Sequence, residues 1–195
     1  MKYITVFCGA SSGSRPEYTK AATTLGRVLA ASGIGLIYGG ASTGLMGVIA
    51  DSILEHGGEA IGVIPQSLVE REVAHQHLTK LHVVQTMHER KALMAELGDA
   101  FITLPGGFGT IEELFEVVTW MQLGFHDKPI GILNVENYYG ALIDWLGHCV
   151  TDGFIGDVFL KHLAVEERAE DLLDTLRQLE APANLFEQRK MRGAA

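Results

Sequence analysis

The stretch best equipped for chemistry is Pro105-Gly106-Gly107-Phe108-Gly109-Thr110-Ile111-Glu112-Glu113. Three glycines in four positions leave backbone amides free to converge on one oxyanion, and a helix expected to start near Thr110 adds its positive end. Those properties describe a phosphate cradle. At ~100° per residue, Ile111, Leu114, Phe115, Val118 and Met121 form one apolar face, which Val117 and Trp120 widen until it flanks Glu113. A carboxylate in that position must be paired, protonated or facing a cavity, whereas Glu112 and Glu116 fall on the polar remainder. The neighbours Glu112 and Glu113 point different ways and do not form a matched pair across one glycosidic bond. Thr110-x-x-Glu113 also fits a capping box, in which the carboxylate merely accepts an amide at its own helix end. Both readings of Glu113 stand at this level.

Two more glycine turns follow apolar runs. Cys8-Gly9-Ala10-Ser11-Ser12-Gly13 offers amides and hydroxyls to an anion, or is an ordinary turn with Pro16 opening the next helix. Gly39-Gly40-Ala41-Ser42-Thr43-Gly44-Leu45-Met46-Gly47 allows close backbone approach ahead of a helix, which suits a nucleotide phosphate. Its spacing is neither G-x-G-x-x-G nor a P-loop, so NAD and ATP fall to minor alternatives. Met87-His88-Glu89-Arg90-Lys91 opens another helix; Arg90 carries a planar fork suited to phosphate or ribose oxygens, while Lys91 alone reads as part of a solvated first turn. His75, His77, His82 and His88 lack zinc-motif spacing, so no metal site is expected.

The elements that must carry these turns follow from periodicity. Strand-like runs at 3–8, 34–38, 59–64, 80–85, 99–104 and 129–133 alternate with helical patterns at 17–32, 44–56, 87–97 and 110–123. Two more helices are predicted at 137–150 and about 166–180. This alternation predicts an α/β Rossmann-like fold, a doubly wound parallel sheet flanked by helices, with ligands at the carboxyl ends of its strands. Residues 1–183 read as a single domain and 184–195 as a polar tail.

Composition narrows the partners. The 195 residues carry 15 Lys+Arg against 24 Asp+Glu, a formal charge of -9 that disfavours nucleic acid and anionic membranes. No apolar run approaches the ~18 residues needed to span a bilayer, and the N-terminal run is shorter than a signal-peptide core. Cys8 and Cys149 read as reduced thiols, which fits a cytoplasmic location.

Together the three glycine turns and Met87-His88-Glu89-Arg90-Lys91, in this order over roughly residues 3 to 150, resemble the LONELY GUY family of cytokinin riboside 5'-monophosphate phosphoribohydrolases. One departure is Ala41, where many relatives carry a third glycine. The resemblance implies hydrolysis of the N-glycosidic bond of an N6-substituted AMP, or of AMP; the missing metal and dinucleotide spacings lead to the expectation that no metal or redox cofactor is required. It implies a catalytic pair, Arg90 and Glu113, and substrate contacts at Glu72, Lys91, Gly107, Gly109, Thr110 and Thr119. Gly9, Ser11, Gly40, Gly44 and Gly106 join these as binding candidates from the glycine turns. A homodimer with sites near its interface is also implied, in keeping with the wide apolar surface of the Glu113 helix. The alternative is a non-catalytic sensor that binds a purine mononucleotide in the same loops. Relatives labelled lysine decarboxylases would need pyridoxal phosphate on a lysine, and no lysine here reads as having such a site around it.

Overall fold

The computed structural model describes residues 1–71 and 74–179; Glu72 and the tail expected at 184–195 lie outside the described residues. Seven strands, β1 (Tyr3–Phe7), β2 (Gly35–Tyr38), β3 (Ala60–Pro65), β4 (Lys80–Val84), β5 (Ala100–Thr103), β6 (Ile130–Leu133) and β7 (Leu163–Glu166), form one sheet. Its order is β4-β3-β2-β1-β5-β6-β7 and every pairing is parallel. The helices are α1 (Pro16–Ala31), α2 (Gly44–Glu55), α3 (Gln66–Val69), α4 (Met87–Leu97), α5 (Phe108–Leu123), α6 (Gly140–Thr151), α7 (Asp157–Leu160) and α8 (Ala169–Gln178).

The central strands β2, β5 and β6 are buried at every residue, as expected when helices cover both faces of a parallel sheet. Alternate residues serve alternate layers. Ile4, Val6, Leu36 and Ile102 pack with Leu25 and Leu29 of α1, Ile49 and Ile53 of α2, and Leu172 and Leu176 of α8. Phe7, Ile37, Phe101 and Ile132 pack on the other side with Met94 of α4 and Leu114, Val117 and Met121 of α5. Arg90 and Glu113, on α4 and α5, therefore share the second layer.

The predicted elements are present with small boundary shifts, but periodicity gives no strand before the helix expected at 166–180. The chain instead forms β7 and starts α8 at Ala169. A four-residue edge strand between charged neighbours is too short to show a period of two. The helix expected from 137 begins at Gly140, because Glu136 and Asn137 occupy the left-handed region with φ of 51° and 55°. Each such non-glycine residue costs about 1–2 kcal/mol. Asn134 offsets this by accepting the Tyr139 amide at 2.8 Å and donating to the Asn137 side chain at 3.2 Å. No helix among the described residues is long and apolar enough to cross a membrane.

Candidate active site

The chain leaves β1 toward β2 and returns to β5 on the opposite side, so a crevice opens beyond the carboxyl ends of β1 and β5. The glycine turns meet there. The Gly9 amide donates to the Pro105 carbonyl at 3.1 Å, and the Gly9 carbonyl accepts the Leu45 amide at 3.0 Å. Between them lies a cavity of about 380 Å³, walled by the loop from Gly9 to Gly13, by Pro105 to Gly107, and by Tyr18, Leu45 and Tyr138.

Helix α5 starts at Phe108, two residues earlier than expected, with Gly107 at its N-cap. Thr110 thus sits inside the first turn, buried with its hydroxyl close to Gly106. The capping box expected as one reading of Glu113 does not form, because the cap position has already passed. Glu113 instead turns inward at 8 % exposure and accepts a hydrogen bond from Arg90 Nη1 at 3.2 Å. A capping arrangement does form on α4: Thr86 accepts the Glu89 amide at 3.1 Å, and the Glu89 carboxylate accepts the Gln85 amide at 2.8 Å. That cap fixes the first turn of the helix that carries Arg90.

Arg90 is also 8 % exposed, and its guanidinium is used in three directions. Nε donates to the Val63 carbonyl at 3.1 Å and Nη2 to the Gly39 carbonyl at 3.2 Å, with Glu113 the third acceptor. Residue 39 has to be glycine for this: a Cβ there would collide with Arg90 Nη2 and crowd Met46. Arg90 therefore ties the second glycine turn to Glu113. Burial, the largest influence, pushes the Glu113 carboxyl up to about 7 from its ordinary 4.5, against the opposing pull of Arg90. A carboxyl poised there can both accept and release a proton near neutrality. Cys8 lies near enough for Glu113 to reinforce the effect of burial, and its thiol is held protonated.

Lys91 departs from the expected solvated first turn. It is buried, and its ammonium pairs with Glu112 and, at 3.0 Å, with Glu116. Burial pulls its pKa down, but the bonds to the two carboxylates outweigh this and raise it. Gly9, Ser11, Gly106 and Gly107 line the cavity, and Gly109 faces open space beside them in the first turn of α5. Gly40 and Gly44 do not line it. Gly40 packs on Ile64 of β3 while its carbonyl accepts the His75 amide, and Gly44 lies against the backbone of Ala10. Thr119 is exposed on α5, away from the inward face of Glu113. Sequence reasoning missed Tyr18 and Tyr138, which face the cavity, and Gly39, which admits Arg90. The Tyr138-Tyr139 pair just beyond β6 is at the same end of the sheet as the glycine turns, which was the available signal.

A family model described as "Possible lysine decarboxylase" matches residues 46–176. The cytokinin riboside 5'-monophosphate phosphoribohydrolase of Rhodococcoides fascians is 49% identical over 177 residues, covering 90% of this chain and 89% of its own. The chain belongs to the LONELY GUY family. A LONELY GUY enzyme of Arabidopsis thaliana with the same activity name is 45% identical over 179 residues, 92% of this chain and 82% of its own. The LONELY GUY fold extends further. A molybdenum cofactor binding protein from Rippkaea orientalis superposes with a TM-score of 0.69 at 19% identity, over 90% of this chain and 94% of that one. At that identity the likeness concerns the fold alone. As for the family model's description, Lys91 is the buried lysine of the described residues, and its two carboxylate partners keep it a protonated, poor amine nucleophile.

Proposed function

We propose that the protein hydrolyses the N-glycosidic bond of cytokinin riboside 5'-monophosphates, and of AMP, to free base and ribose 5-phosphate. The observation that carries this reading is the buried Glu113 on Arg90, one helical turn beyond the glycine cradle that opens α5. In this reaction the C1'–N bond breaks with its electron pair going to the base, and water adds its oxygen to C1'. Glu113 faces the cationic sugar of the transition state, stabilises its charge and takes a proton from the attacking water. The departing base takes up a proton from solvent to leave neutral, and Glu113 returns the proton it took from water to solvent. Amides of Gly106, Gly107 and Gly109 hold the 5'-phosphate with the Thr110 hydroxyl, fixing the ribose relative to the acid. Arg90 orients Glu113 and keeps part of it ionised at neutral pH.

Incubating the pure protein with isopentenyl-AMP or AMP and resolving the products by chromatography tests the reading: free base and ribose 5-phosphate are expected in equal amounts. Recovery of intact nucleotide would leave a binding protein. The capping role of Glu113, the alternative to a catalytic one, has no counterpart in the α5 geometry.

We further propose a homodimer, supported by exposed Phe108, Leu123 and Phe125 on and beside α5 and Trp145 on α6. Free Cys8 and Cys149 fit the reducing cytoplasm.

The Glu113 pKa sets a pH dependence. Its carboxylate is the active form and is lost as pH falls through about 7. kcat/KM is expected to decline toward tenfold per pH unit below that point, about one unit above the second ionisation of the substrate phosphate near ~6. A profile flat from pH 8 down to 6 would contradict the assignment.

A further inference from the structure

The third glycine turn is held from behind by its carbonyls. The Leu104 carbonyl accepts from the Tyr139 hydroxyl at 2.8 Å, the Pro105 carbonyl from the Gly9 amide at 3.1 Å, and the Gly106 carbonyl from the Tyr138 hydroxyl at 2.6 Å. Three consecutive peptide units are thus fixed by their oxygens. In a trans peptide the C=O of one residue and the N–H of the next point in opposite directions. Binding of the Gly106 oxygen by Tyr138 therefore turns the Gly107 amide away from the tyrosine. No protein acceptor among the described residues takes that amide. Beyond its own chain neighbours, no described protein atom comes within 4 Å of where a Gly107 side chain would begin.

Tyr138 differs from Tyr139 in being part of the cavity wall. Tyr139 is buried, while Tyr138 is 42% exposed and lines the cavity edge-on to Tyr18, with ring centres 5.5 Å apart. Its place is set by the two left-handed residues before it, Glu136 and Asn137, and by the Asn134 side chain bonded to Asn137 and to the Tyr139 amide. Strained backbone of this kind persists where the surroundings enforce it, and here its product is a hydroxyl aimed at one carbonyl of the anion loop.

We propose that Tyr138 is a positioning residue: its hydroxyl fixes the Gly106–Gly107 peptide so that the Gly107 amide is presented to the 5'-phosphate of the substrate. This deepens the proposed function and rests on its placement of the phosphate. Without the hydroxyl that peptide can rotate, and the phosphate must order the amide as it binds. The chemical step is unaffected, because Tyr138 touches neither Arg90 nor Glu113.

Titration calorimetry of the full-length protein with ribose 5-phosphate and, separately, with adenine tests this, using wild type and Tyr138→Phe, which keeps the ring on Tyr18. The variant is expected to bind ribose 5-phosphate about three- to tenfold more weakly, as for the loss of one hydrogen bond. Adenine affinity is expected to stay unchanged, with a matching rise in KM for the monophosphate and kcat within about twofold. Tyr139→Phe is the contrast: it removes a buried bond behind the same loop and is expected to lower Tm more than it changes ribose 5-phosphate affinity. Wild-type affinity for ribose 5-phosphate in Tyr138→Phe, or equal weakening toward ribose 5-phosphate and adenine, overturns the inference. Failure of the wild-type protein itself to bind ribose 5-phosphate overturns the phosphate placement instead.

Discussion

Glu113→Gln is expected to lower kcat by ~10²–10⁴-fold while leaving the fold and substrate affinity close to wild type. Glutamine has the shape of glutamate and still accepts a hydrogen bond from Arg90 Nη1. It cannot take a proton from water or stabilise a cationic sugar. The structural effect is small because burial already holds the carboxyl near the midpoint of its titration at neutral pH. Arg90 retains the carbonyls of Val63 and Gly39 as acceptors.

The same substitution has a signature in stability. A carboxyl whose pKa rises from 4.5 to about 7 on folding binds more protons in the folded than in the unfolded state between those values. Stability contributed by this group is therefore present below pH 4.5 and is lost as pH rises toward 7. Glutamine does not titrate, so Tm of Glu113→Gln is expected to vary less across that window than Tm of the wild type. Arg90→Ala behaves differently. It removes three bonds at once and leaves Glu113 buried without its cation, so Tm, KM and kcat are all expected to suffer. A Glu113→Gln enzyme within threefold of wild-type kcat would make the carboxylate structural.

The alternation of apolar runs with helical periodicity located six of the seven strands. The glycine turns located the end of the sheet where the cavity opens, because a parallel strand followed by small residues and a helix leaves few alternatives. Glu113 stood out as a charge on an apolar face, a conflict visible in one dimension. What it faces was not visible, since Arg90 lies 23 residues away on another helix. Two segments, Thr86-x-x-Glu89 and Thr110-x-x-Glu113, carry the same short pattern, yet only the first caps a helix. Local spacing cannot separate them; Gly107 and Phe108 start α5 early and turn Glu113 into the layer behind β1 and β5. Lys91 escaped for a related reason, its two carboxylate partners being supplied by a different helix. Tyr138 depends on two left-handed residues that no hydrophobic pattern encodes.

Removing the 5'-phosphate from the substrate is expected to lower kcat/KM by at least ~100-fold. The amides in the first turn of α5 have no helical acceptors of their own and open at the end of the sheet where the cavity lies. A dianionic phosphate there receives charge-assisted hydrogen bonds worth roughly 1.5–3 kcal/mol each. Loss of two such bonds is ~3 kcal/mol or more, which corresponds to at least ~100-fold in rate at low substrate concentration. The chain's formal charge of -9 sharpens the contrast, because nothing in its overall field draws an anion in. Selectivity for the monophosphate is then expected to come from oriented dipoles at the loops, not from a diffuse positive surface. The comparison is made by assaying AMP against adenosine, and isopentenyl-AMP against its riboside, under identical conditions. Weak dependence on salt is expected to accompany strong dependence on the phosphate, since a short-range cradle is screened far less than a surface potential. Equal kcat/KM for nucleotide and nucleoside would remove the phosphate from the glycine turn and with it the proposed placement of C1' against Glu113.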